Sequence, residues 1–61
     1  MRFNIKVVKN DNSELLLKDL TEKEAQKVLA NAYDDILNLN EKVRFGDLEV
    51  DALDLQYFFI D

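Results

Sequence analysis

The chain has 61 residues, 48% of them apolar, with no Cys, no His, no Pro, one Gly and a formal net charge of −5. This leaves room for one small domain over residues 1–61. It excludes disulfides, thiolate or imidazole metal ligands, and catalysis by Cys or His. A domain this short buries only about 60% of its unfolded surface, so dense packing or self-association has to support it.

Residues 2–9 alternate, with Phe3, Ile5 and Val7 on one face and Asn4 and Lys6 on the other. That period of two predicts a half-buried strand. Asn10-Asp11-Asn12-Ser13 is a cluster of turn formers. Residues 14–18 follow as a second strand, Leu15 and Leu17 facing together, so residues 2–18 read as a β-hairpin.

Thr21-Glu22-Lys23-Glu24 matches a capping box, in which the Thr hydroxyl and the Glu carboxylate each accept from the other residue's amide. Ala25, Val28, Leu29, Ala32 and Ile36 then recur at helical spacing. The helix is expected from 22 to an end between 33 and 38. Asp34 and Asp35 fall mostly outside the apolar stripe and suit a helix C-terminus poorly, which predicts fraying or an early stop. Asn38-Leu39-Asn40 reads as the exit loop.

The last third is strand-like. Val43, Phe45, Leu48, Val50, Leu53, Leu55, Tyr57 and Phe59 are the candidate inward residues. Their parity slips at Gly46 and again near Ala52. Each slip requires a turn or bulge, because a one-residue shift moves every side chain to the other face. Asp51-Ala52-Leu53-Asp54 suits a single turn, and residues 55–60 form a final strand.

The order is ββαββ, or ββαβββ if Gly46 divides the third strand. Such a chain is α+β, one helix packed on an antiparallel sheet. A mixed, β-grasp-like sheet with parallel first and last strands is the variant. With Tyr57 and Phe59 facing the helix, Phe58 and Ile60 would join Val8 and Leu16 on the opposite face. That apolar patch would be a candidate homodimer interface.

Charge is distributed unevenly. Residues 1–44 balance, whereas residues 45–61 carry Asp47, Glu49, Asp51, Asp54 and Asp61 without a base. Asp47, Glu49 and Asp51 alternate, so on a strand they share a face at about 7 Å spacing. Calcium-binding loops also alternate acids, but here Leu48, Val50 and Ala52 stand where such loops carry glycine and polar residues, so no metal or other cofactor is expected. The row with Asp54 makes a candidate partner-binding surface for a basic protein groove. As a plain solvated face it would instead keep strand edges apart. Net negative charge opposes direct nucleic-acid binding. Arg2, Lys6, Lys9, Lys42 and Arg44 are expected to pair with acids across the sheet. Ser13 and Thr21 read as turn and cap residues. No segment reads as a signal peptide or membrane span, which with the lack of Cys points to the cytoplasm.

The chain resembles, over nearly its full length, small acidic proteins of phages and prophages of Gram-positive bacteria. The resemblance lies in the layout of hairpin, helix, a strand segment Val43-Arg44-Phe45-Gly46-Asp47-Leu48, and the aromatic ending Tyr57-Phe58-Phe59-Ile60. It implies a non-enzymatic protein of the host cytoplasm that binds and blocks a host enzyme, among them nucleic-acid-processing and defence enzymes. A homo-oligomeric structural or assembly role, built on the apolar sheet face, is the alternative.

Overall fold

The computed structural model describes residues 1–61 as β1 Phe3–Lys9, β2 Glu14–Leu20, α1 Glu22–Leu37, β3 Lys42–Phe45, β4 Leu48–Asp51 and β5 Leu55–Ile60, with one 3-10 turn, Ala52–Asp54, before β5. The fold is α+β. The strands form two sheets, one ordered β2-β1-β5 and one pairing β3 with β4. No helix is long and apolar enough to cross a membrane.

Local chemistry accounts for each boundary. In the β1–β2 turn, Asp11 accepts from the amide and hydroxyl of Ser13, and Asn12 takes the left-handed backbone that its side chain tolerates. The capping box forms as read: the Glu24 amide donates to Thr21 Oγ1 at 3.1 Å, and the Thr21 amide donates to Glu24 Oε1 at 2.8 Å. Gly46 divides the predicted third strand. Phe45 pairs with Leu48, leaving Gly46-Asp47 as a two-residue hairpin loop, and Gly46 has φ +66°. A positive φ at the first loop position is the type II′ requirement that glycine meets without strain.

The core joins Ile5 and Val7 of β1, Ala25, Val28 and Ala32 of α1, Val43 and Phe45 of β3, and Val50 of β4. Leu15, Leu17, Leu20, Leu29, Leu55 and Phe58 pack around it. The helix packs against residues of both sheets, lying closest along β3.

Four expectations are corrected. First, the mixed β-grasp variant is set aside in favour of the antiparallel reading: β1 and β5 are neighbours but run antiparallel, so neither sheet is mixed. Second, β2 continues to Leu20, because a bulge at Lys18-Asp19, with Asp19 at φ 60°, returns Leu20 to the core side. Third, Leu53 does not face inward; it is 92% exposed.

The fourth correction inverts the last strand. β1 pairs Val8 with Tyr57 but Lys9 with Leu55, so the register slips at Gln56. That extra residue lets Leu55 and Phe58 both face the core. Phe58 meets Phe45 edge-on at 5.0 Å and Tyr33 at 5.3 Å between ring centroids. Tyr57 and Phe59 point outward instead, 51% and 39% exposed and stacked on each other at 5.9 Å. The candidate interface of Phe58, Ile60, Val8 and Leu16 changes accordingly. Phe58 belongs to the core side, and Ile60, opposite Ile5, lies half-exposed at the end of the sheet. Val8 is covered and Leu16 is exposed. The outer face shows Leu16, Tyr57 and Phe59, with Lys6 Nζ 6.0 Å from the Phe59 ring centroid.

Candidate functional site

The acidic residues named above do not form one unpartnered row. Asp47 lies in the β3–β4 turn, Glu49 and Asp51 on the exposed side of β4, and Asp54 in the 3-10 turn. The β3–β4 register sets Lys42 opposite Asp51 and Arg44 opposite Glu49. Lys42 Nζ donates to Asp51 Oδ1 at 2.8 Å, which holds the Asp51 carboxyl below its ordinary range and the Lys42 ammonium above its own. Arg44 turns from Glu49 toward the helix, leaving Asp47, Glu49 and Asp54 without an ion-pair partner. Lys6 pairs with Glu14 across the sheet, as Lys42 does with Asp51, whereas Arg2 and Arg44 pair with Glu24 and Asp35 of the helix rather than across a sheet. No group of three or more carboxylates converges to hold a metal ion.

The charge at the centre of this end of the molecule is Asp35, which sequence reasoning left outside the apolar stripe. It is 2% exposed and accepts four hydrogen bonds. The donors are Arg44 through its amide, Nε and Nη2, and Asn40 through Nδ2. These bonds hold the Asp35 carboxyl down at about 2. They tie the last turn of α1 to β3 and to the exit loop.

The exit itself is a Schellman motif. The Leu39 amide donates to the Ile36 carbonyl at 3.1 Å, and the Asn40 amide to the Asp35 carbonyl at 3.0 Å. Leu39 occupies the left-handed position, φ 56°, where glycine is usual. A Leu there costs roughly 1–2 kcal/mol, and its side chain recovers nothing by burial, being 89% exposed.

Leu53 repeats the pattern. Its backbone is fixed: Asn10 Nδ2 donates to the Leu53 carbonyl at 2.6 Å, the Asn10 amide to the Asp54 carbonyl at 2.7 Å, and the Ala52 amide to the Glu41 carbonyl at 2.8 Å. Only the side chain is free.

Leu39 and Leu53 both line one open groove. Ile36 and Val43 line it with Leu39, and Leu55 and Phe58 line it with Leu53. Its charged lining consists of Glu41, Asp51 and Asp54, all acidic. The groove exists because α1 covers β3 and leaves β5 largely uncovered. Chemically it offers apolar area between two anchored leucines and a rim that attracts cations. Sequence reasoning found Asp51 and Asp54 but missed Leu39, Glu41 and the floor. The available signal was a leucine between two asparagines at a helix exit.

No family model, curated protein or solved structure matches this chain.

Proposed function

We propose that this protein is a non-enzymatic interaction module that docks a basic protein partner in the groove between Leu39 and Leu53. One observation carries the reading. Two leucines about nine-tenths exposed sit on hydrogen-bonded backbone, one of them in a strained conformation, beside an apolar groove whose charged rim is wholly acidic. The helix exit needs the left-handed position, but glycine would fill it without strain, so an exposed leucine kept there, with Leu53 beside the same groove, fits a recognition role. Apolar anchors supply the affinity, and the rim together with the net charge of −5 steers and orients a basic partner. Asp47 and Glu49 extend the same field along the β3–β4 hairpin. A partner whose basic surface ordinarily binds nucleic acid suits this chemistry, and an inhibitory role follows if docking covers that surface.

The test is capture from a lysate of the source organism on immobilised wild type, on a Glu41→Lys, Asp54→Lys variant, and on Glu49→Lys. A basic protein retained by wild type and lost by the rim variant supports the groove. Loss on Glu49→Lys alone relocates the site to the hairpin. Identical retention on all three refutes the reading.

A further inference from the structure

The two edges of the β2-β1-β5 sheet are built differently. Along β2 the edge carries Glu14, Lys18 and Asp19, and the Lys18-Asp19 bulge bends it. Charges and bulges of this kind block strand addition. The β5 edge has neither device beyond Gln56. From Leu55 to Ile60 it reads Leu-Gln-Tyr-Phe-Phe-Ile, with no charge, no Pro and no Gly. Such a segment on an open edge is a strong pairing element.

The free main-chain groups can be identified. The Asp61 amide donates to the Asn4 carbonyl at 2.8 Å. Alternation along an antiparallel ladder then turns the main-chain groups of Phe59 and Tyr57 toward β1. Those of Phe58 and Ile60 point to the open edge.

The geometry points to a homodimer in which β5 pairs antiparallel with β5 of a second copy across a two-fold axis at Phe58, joining two three-stranded sheets into one of six. This register makes the edge self-complementary. Phe58 faces its own counterpart in a hydrogen-bonded pair. Tyr57 of one copy faces Phe59 of the other in the closer, non-hydrogen-bonded pairing, twice over. The Tyr57–Phe59 stack on each outer face thus continues across the axis as four rings. The second copy also supplies burial that 61 residues, ten of them buried, lack. This assembly uses the β5 main chain and outer face; it shares Tyr57 and Phe58 with the groove lining but uses neither Glu41 nor Asp54 of the acidic rim.

Sedimentation equilibrium from about 1 to about 500 μM, in low and high salt, tests it. Ile60→Pro removes only an N–H that points to the open edge, so the ladder to β1 stays intact. Tyr57→Lys places a charge in the aromatic pairing while reducing the net charge from −5, so electrostatics alone would favour association. Wild type should be dimeric, more tightly in high salt, because two copies of like charge repel less when screened. Each folded variant should associate at least about tenfold more weakly. Glu41→Lys, Asp54→Lys should remain dimeric even though it abolishes docking in the groove. A monomeric wild type, open-ended polymers, or an undiminished dimer in either folded variant would overturn the assignment.

Discussion

Asp35 and Arg44 lock the end of α1 to β3: Asp35 Oδ2 accepts from both the Arg44 amide and Nε, each at 3.0 Å, and Oδ1 accepts from Nη2 at 3.2 Å. An acid at a helix C-terminus is unfavourable in isolation. Here the guanidinium sits across it, and the Asp35 bonds, with the more distant charges of Asp34 and Glu49, hold the Arg44 pKa above its ordinary value. The pair also fixes the wall of the groove that carries Leu39.

The pair sets a pH dependence. The Asp35 carboxyl is held at about 2 when folded, against an ordinary 3.8. The unfolded chain therefore takes up the proton first as pH falls. The stability from this group is complete above pH 3.8 and is lost as pH drops toward about 2. Thermal melts across that window should show wild type losing stability. Asp35→Asn should be less stable at neutral pH and show a flatter acid limb.

Thr21→Ala removes one half of the capping box and should cost about 1 kcal/mol. Urea denaturation should show a lower midpoint with unchanged m-value, because the cap contributes stability without altering the surface exposed on unfolding. An unchanged midpoint would mean the cap is replaced by water at no cost.

Leu39→Gly should stabilise the fold by about 1 kcal/mol, since glycine relieves the left-handed strain and no buried contact is lost. The same change should weaken partner binding. Measuring both on one variant separates the two roles: a stability gain without a binding loss would leave the strain unexplained by recognition.

Gly46→Ala should destabilise by roughly 1 kcal/mol through its backbone alone. An added Cβ would meet Leu17 Cδ2 at 3.5 Å, an ordinary contact, whereas φ +66° disfavours any L side chain. A D-alanine at 46, whose stereochemistry favours positive φ, should recover the midpoint.

Elements with strong local signals were legible in the sequence: the alternating β1, the capping box at Thr21, the helical stripe, and the break at Gly46. Register was harder. The slip at Gln56 leaves no local mark, since every residue around it is compatible with a strand, yet it exchanges Phe58 with Tyr57 and Phe59. Asp35 was misjudged because its partner, Arg44, lies nine residues away on another element. The charge asymmetry of the last third drew attention to the end of the molecule where the proposed groove lies. It could not show that Lys42 would answer Asp51, nor that Leu53, read as an inward residue, would project into solvent.

Leu53 gives the most direct test of the docking site, because it is 92% exposed and contributes almost nothing to the core. Leu53→Ser should leave stability within about 0.5 kcal/mol of wild type. Partner capture on matched wild-type and Leu53→Ser resins should retain a basic protein on the first, released by salt, and lose it on the second. Equal retention on both, at equal stability, would contradict the groove as the recognition surface.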